Sequence, residues 1–444
     1  MENSAKNRRD TKQFHFRQFL PILLVFATLV TVVIALFFMH YHEMQAHDTG
    51  LLKKRFLTRV LRLDNLLETT TAHVEGMRLK AETDLFESRA MGHSCPPLAF
   101  ASLAERAGKD GINYHLDNAK PPLDRSRIGN LTGQGSFQGR SIDFYRELHM
   151  ALRLNADFRS AAGSVTDAAW VYYTSAHAFI NIYPWVSSLD FHYAKELFSH
   201  EFFSFGLPEK NPERKLFWTD VYVDEYGKGL MTTCAAPIYD NSRFLGTVAI
   251  DLTVDSLNRI VSGGSVDGGV MFLVSDTGKL VAHPFLITSG DRRTKMMTEA
   301  LPAELSDIPS AVLNLPEDRI GNLRNHTLLR AQLMHAPWQV IFLAKTPAFF
   351  WGIKNRMGTG LIIAVAGLLA LTFITLAVTY HQFIRPSEMF FNYILLRSRR
   401  KHPPATDRIP AIWRPWFSTI DKIFSENETL KKQASPQPSG WRNE

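Results

Sequence analysis

The chain has 444 residues, enough for two or three domains. It carries 50 Lys and Arg against 43 Asp and Glu, a formal net charge of +7. The excess sits in two short basic flanks, which argues against a nucleic-acid partner, and the two cysteines, Cys95 and Cys234, fit no zinc-ligand spacing.

Residues 1–19 form a basic arm containing "KNRRDTKQFHFR". Residues 20–39, "LPILLVFATLVTVVIALFFM", hold no charge and are long enough to cross a bilayer as a helix. This apolar run is longer than a signal-peptide core, and the following "HYHEMQAH" is a weak cleavage site, so an uncleaved span is expected. The histidines of that stretch read as an interfacial collar rather than a metal site. Residues 40–92 predict a long stalk helix. Leu52, Phe56, Val60, Leu63, Leu67, Thr70, Val74, Met77, Ala81 and Leu85 recur at steps of three and four, with no Pro between them. Such a helix runs roughly 50 Å at about 1.5 Å per residue. One face packs on its own domain, and the other faces leave room to pair with a second copy, so a homodimer is expected.

Residues 93–140 read as loops and turns, with Cys95 in "HSCPP" and a Gly-rich "GNLTGQGSFQG". A helix is predicted over 141–154. Short strands follow: "AAWVYYT" and "AFINIYP" around "SAHA", then "LMTTCAAPIYD" and "FLGTVAIDL" around the turn "DNSR", with "SLNRIV" starting a helix. The Gly-flanked "DEYGKG" reads as a hairpin turn and not a phosphate loop. A distal module is thus placed at 93–262, with "SGGSVDGG" as the linker to a module next to the membrane at 263–346. The latter repeats the pattern in reduced form: "GVMFLVSD" and "GKLVAHP" around "DTG", then "HTLLRAQLM" and "WQVIFLAKT" around "HAP".

Residues 357–380, "MGTGLIIAVAGLLALTFITLAVTY", form a second uncharged span. Arg385, Arg397, Arg399, Arg400 and Lys401 follow it. Positive residues favour the cytoplasm, so both termini are expected inside and the long intervening segment outside, in the periplasm of a bacterium. A disulfide is permitted there, but Cys234 lies inside an apolar strand and reads as a buried thiol. Residues 381–433 hold two amphipathic stretches separated by "KHPPATDRIP"; the second carries an apolar stripe at Ile412, Trp416, Ile420, Ile423 and Leu430. Residues 434–444 are a tail.

Trp170, Tyr172, Tyr183, Trp185, Trp218 and Tyr222 bring apolar faces with polar edges into the distal module, which suits a small-molecule pocket. Asp251 ends the apolar "GTVAI", where a lone buried carboxylate would be costly. A cationic ligand would compensate it. Alternatively it caps the following helix or pairs with a Lys or Arg. Zincin, nucleophile-elbow and nucleotide-binding motifs are lacking, as are kinase and cyclase catalytic blocks. No enzyme, cofactor or metal is therefore expected.

The long helix, "WVYYTSAHAFINIYPW", "FWTDVYVDEYGKGLMTTCAAPIYD", "FLGTVAIDLTVDSL" and "GVMFLVSDTGKLVAHP" together resemble the double Cache family of extracytoplasmic sensor domains, over 51–346. That resemblance implies an α/β (α+β) fold: two PAS-like modules with antiparallel sheets on one long N-terminal helix, flanked by transmembrane helices. It also implies a small ligand in the distal module of a histidine kinase, diguanylate cyclase or chemoreceptor. In amino-acid-binding Cache domains a Tyr before the turn and an Asp after "GxVGxD" hold the ligand ammonium; Tyr222 and Asp251 stand at those places. An Arg and a Trp–Tyr pair hold the carboxylate, and here "NPERKLFW" offers Arg214 and Trp218, with a longer "VSSLDFHYAKELFSHEFFSFGLPEK" between. The candidate ligand residues are therefore Tyr183, Trp185, Arg214, Trp218, Tyr222, Asp224 and Asp251, and the ligand an amine or an amino acid. The tail helices resemble a divergent HAMP linker, a parallel helical relay. The expected protein is an inner-membrane receptor that signals through a cytoplasmic partner. The alternatives are the sensor half of a kinase or cyclase cut short, or a membrane-tethered periplasmic binding protein.

Overall fold

The computed structural model describes residues 2–91, 101–108, 111–119, 123–165, 167–224, 227–263, 269–287, 291, 293–317, 319–399 and 409–433. The "HSCPP" loop with Cys95, the middle of the "SGGSVDGG" linker, Glu225 and Tyr226 of the turn, most of "KHPPATDRIP" and the last eleven residues lie outside them. The chain divides into two units, Ala46–Gly352 and a second made of Met1–Gln45 with Ile353–Glu444.

One helix runs from Glu2 to Ala90, and its part beyond Gln45 forms the spine of the first unit. All ten positions of the apolar stripe from Leu52 to Leu85 are buried there. They join one core with residues of two sheets, the larger a nine-stranded antiparallel sheet of order β1-β2-β3-β5-β4-β9-β8-β6, with β7 also paired to β8. Its strands are β1 Ala104–Gly108, β2 Gly111–His115, β3 Asn130–Gln134, β4 Ala168–Ser175, β5 Phe179–Tyr183, β6 Phe217–Trp218, β7 Tyr222–Val223, β8 Leu230–Asp240 and β9 Arg243–Thr253. Residues 104–134, expected as loops, supply three strands at the sheet's edge. β1, "AERAG", is mostly exposed and has no apolar alternation to announce it.

Strand alternation divides the sheet's side chains between two cores. Val171, Tyr173, Cys234, Ala236, Val248 and Ile250 face the long helix and join its core. Trp170, Tyr172, Met231, Ala235 and Ala249 face the other way, into a separate aromatic core. Cys234 is a free, buried thiol on the helix side. The close approach of β9 to β4 needs Gly246, where a Cβ would lie 2.1 Å from the Thr174 carbonyl oxygen. Helix Ile142–Arg153, capped by the Ser141 side chain accepting from the Phe144 N–H, carries Glu147 into the helix-side core. Its carboxylate accepts from Tyr173 Oη at 2.8 Å and from Ser175 Oγ, and meets His177 Nδ1 at 2.5 Å.

The second sheet has five antiparallel strands in the order β11-β10-β14-β13-β12: β10 Gly269–Ser275, β11 Leu280–Ala282, β12 Gly321–Leu323, β13 His326–Gln332 and β14 Trp338–Lys345. The two sheets meet through polar clasps. Asp220 accepts from Lys279 Nζ at 2.6 Å and from Thr277 Oγ1 at 3.0 Å. Asp64 of the spine accepts from the Met334 N–H at 2.8 Å and the His335 N–H at 3.2 Å, fixing the β13–β14 turn.

In the other unit, the stretches of the N-terminal helix and of helix Thr346–Thr379 expected as spans are long and apolar enough to cross a membrane. Helices Arg385–Ser398 and Arg414–Gln433 pack through Phe390 and Tyr393 on Phe417, with ring centroids 5.0 and 5.1 Å apart. Gln382 meets Trp413, Phe390 meets Phe417, and Tyr393 and Arg397 meet Asp421. Partners rise in number together, so the two helices run parallel.

Candidate functional site

The aromatic core on the far face of the large sheet is hollow. Its cavity holds about 450 Å³ of empty space, mouth included. Trp170 and Tyr172 of β4, Ile180 and Ile182 of β5, Met231 of β8 and Asp251 of β9 form the floor. Tyr222, Val223 and Asp224 form one side, and Phe191, Leu197, His200 and Phe202 form the cover. The cover is the long segment between β5 and β6. Asp117 pins its start by accepting from the Ser188 N–H at 3.0 Å and from Ser188 Oγ. Thr132 Oγ1 takes the Tyr193 N–H at 2.9 Å, and Glu201 takes the Asp220 N–H at 2.9 Å.

Asp251 is a buried carboxyl group of the cavity floor, 3% exposed. In register it lies between Trp170 on β4 and Thr233 on β8. Its Oδ1 accepts from Thr233 Oγ1 at 2.6 Å and from Tyr172 Oη at 3.0 Å. Tyr222 Oη hydrogen-bonds Thr233 Oγ1 at 2.8 Å, completing a chain of hydroxyls. Burial pushes the Asp251 carboxyl up to about 7, against the opposing pull of these hydroxyls. Two alternatives for Asp251 fall away. The following helix, Val254–Ser262, is capped by Thr253, whose side chain accepts from the Ser256 N–H. The hydrogen-bond partners of Asp251 among the described residues are hydroxyls and not a cation.

Asp224, buried at the rim, accepts the Lys228 N–H at 2.8 Å, and its own N–H donates to the Gly229 carbonyl at 2.8 Å. Gly227 and Gly229 hold φ of 88° and 87°, the left-handed backbone this turn requires. The turn sends the Lys228 side chain back over the sheet. Its ammonium lies 3.5 Å from the Trp170 ring centroid and donates to the Ala169 carbonyl at 2.7 Å.

Of the seven candidate residues, Tyr222, Asp224 and Asp251 meet at the cavity. The other four lie elsewhere. Tyr183 ends β5 opposite Val171 and packs on the helix-side core. Trp185 stacks under the Arg125 guanidinium at 4.3 Å. Arg214 covers the Tyr239 ring at 3.9 Å and donates to the Asn241 carbonyl at 2.9 Å. Trp218 sits at the sheet junction on Trp338, centroids 4.8 Å apart. Sequence reasoning missed Thr233, Lys228 and the cover residues. Thr233 is reachable by counting alternation back from Ala235, and the cover by the aromatic density of "FHYAKELFSHEFFSF".

Residues 169–259 match the family described as the methyl-accepting chemotaxis protein-like first PDC sensor domain. The match contains the cavity floor, Tyr222, Asp224 and Asp251, on a two-sheet fold hung from one helix. The chain carries a double Cache sensor domain. The methyl-accepting chemotaxis protein PscA of Pseudomonas syringae pv. tomato is 26% identical over 123 residues, covering 28% of this chain and 19% of PscA. The chain thus spans about a fifth of the length of that relative. Similar solved structures include the ligand-binding domain of the Pseudomonas aeruginosa PAO1 amino acid chemoreceptor PctC in complex with GABA. It is 16% identical, covers 66% of this chain and 98% of its own, and has a TM-score of 0.37. The ligand-binding domain of Mlp24 with asparagine is 17% identical, covers 67% and 97%, and has a TM-score of 0.32.

Proposed function

We propose that the protein is a two-span inner-membrane receptor whose Cache domain lies outside the cytoplasm and takes a small ligand bearing an ammonium group. The observation that carries this is Asp251: a carboxylate buried in an aromatic cavity, held by hydroxyls, with no cation hydrogen-bonded to it among the described residues. A buried carboxylate is stabilised by a cation, and aromatic walls attract one to their faces. The basic flanks of the two apolar stretches support cytoplasmic termini. The parallel helix pair at 385–433 supports a relay to a cytoplasmic partner, as expected of a HAMP-like linker, with the spine helix and this pair as the surfaces of a homodimer.

The modules are read as 93–262 and 263–346. The ligand occupies the distal one, with the ammonium on Asp251 beside the Tyr172 and Tyr222 hydroxyls. Calorimetric titration of the full chain in detergent against a panel of amines and amino acids tests the reading. Binding that requires the ligand's ammonium and drops at least tenfold in Asp251→Asn is expected. Binding indifferent to both would remove the site from consideration.

A further inference from the structure

The cavity has two carboxylates, Asp251 in the floor and Asp224 at the rim, and none of its lining residues is a lysine or arginine. A cation of the chain itself borders the cavity. Lys228 reaches back from the β7–β8 turn so that its ammonium rests on the ring of Trp170, a wall of the cavity and the cross-strand neighbour of Asp251. The turn is closed on itself by Asp224, through both its side chain and its N–H, and two glycines in left-handed backbone flank the lysine. The ammonium is anchored at the far end as well, on the Ala169 carbonyl. A cation on an aromatic face next to acidic groups is the arrangement a ligand ammonium would adopt, and here a tethered one already holds it.

Resting on the reading that Asp251 takes the ligand's ammonium, we propose that Lys228 is a specificity-determining residue. Its ammonium fills a second cation position of the cavity, on Trp170 and beside Asp224, and so selects ligands with one ammonium against those with two. A ligand with a single ammonium places it on Asp251 and leaves its remainder among Phe191, Ile182 and Phe202, where an apolar body is favoured. A diamine of the same length brings its second cation against Lys228 and must either displace it or bear the like-charge repulsion. Burial lowers the lysine's own titration, and the opposing pull of Asp224 and Asp251 places the ammonium in the field of both carboxylates.

The test is calorimetric titration of the full chain in detergent with n-pentylamine and 1,5-diaminopentane, an equal-length pair. Wild type, Lys228→Met, Lys228→Arg, Asp224→Asn in the Lys228→Met background, and Asp251→Asn are compared. Wild type is expected to prefer the monoamine by about tenfold or more. Lys228→Met should abolish or reverse that ratio, Lys228→Arg should keep it, and removing Asp224 as well should withdraw the diamine's gain. A wild type that binds the diamine as well as the monoamine, or a ratio unchanged in Lys228→Met, overturns the role of Lys228 while leaving Asp251 in place. Wild-type-like binding in Asp251→Asn, or binding of neither amine to any chain, overturns the ammonium reading and the selectivity with it.

Discussion

The indole N–H of Trp218 donates to the carbonyl of His335 at 2.8 Å, so a residue four positions before Tyr222 is tied to the turn that joins β13 and β14. Within seven residues the chain passes from the sheet junction, through Asp220 on Lys279, to the cavity wall at Tyr222 and Asp224. On the proposed ligand site, a ligand pressing on Tyr222 would act on a short strap whose other end holds the second sheet. The hypothesis is that Trp218→Phe, which keeps an aromatic ring but drops one hydrogen bond, loosens the junction by about 1 kcal/mol. Amide exchange across Leu333–Trp338 should accelerate roughly fivefold, while exchange in β9 should stay as in wild type. Unchanged exchange in that turn would show that the bond holds nothing in place.

Asp251 makes the domain sensitive to pH. Its folded carboxyl titrates at about 7, above the ordinary 3.8. Between these values the folded chain holds a proton that the unfolded chain releases, so this group's contribution to stability falls as pH rises through the window. The melting temperature should drop more between pH 5 and pH 7.5 in wild type than in Asp251→Asn. Binding of an ammonium ligand should move the other way, strengthening up to about tenfold per pH unit below 7 and levelling above it. Parallel pH profiles in the two chains would contradict the assignment.

Thr233 donates to Asp251 and meets Tyr222, so it links the floor to the strap. Thr233→Val keeps the shape and removes a hydrogen bond that favours the ionised carboxylate. The midpoint of the binding profile should shift upward by about one pH unit. Tyr222→Phe, whose hydroxyl pulls on the Asp251 carboxyl less than those of Thr233 and Tyr172 do, should shift it less. An equal shift in both would point to a general disturbance of the wall.

Glu147 is fully buried on the opposite face, with Tyr173, Ser175 and His177 on its carboxylate. Glu147→Ala leaves buried hydroxyls without an acceptor and should cost about 3 kcal/mol in denaturant unfolding. Its hydrogen bond raises the His177 titration above the ordinary 6.5. The contribution of a protonated His177 is then fully present below pH 6.5 and is lost as pH rises through the raised value. Glu147→Gln should flatten that dependence while leaving amine binding intact.

Topology is open to a direct test. Reporter fusions after residue 10 and after residue 433 should be active only with a cytoplasmic reporter, because basic residues flank both apolar stretches. A periplasmic signal from either end would reject the two-span orientation.

The spine was legible because burial of a helix face imposes a period, and the ten stripe residues kept it without interruption. Asp251 was legible because a carboxylate ending an apolar strand demands a partner. The cover was not, since a 3₁₀ turn at Lys195–Ser199 and a four-residue helix carry aromatics with no repeat to follow. The resemblance to amino-acid-binding Cache domains places Arg214 and Trp218 at the cavity, as counterparts of the residues that hold a ligand carboxylate. Yet β6 and β7 are two-residue strands on different parts of β8, Trp218 opposite Cys234 and Tyr222 opposite Met231. Between them Thr219 to Asp220 breaks the alternation, so closeness along the chain says nothing about which side a ring takes.

The cavity's floor comes from paired strands and its cover from one inserted segment fastened at Ser188, Tyr193 and Asp220. Those fastenings use residues that do not line the cavity, so the wall they hold can be rewritten without touching the sheet, the spine or the strap to the second module. On the proposed receptor reading, turnover in this stretch alone would exchange one recognised molecule for another, while the sheet, the spine and the strap are inherited unchanged.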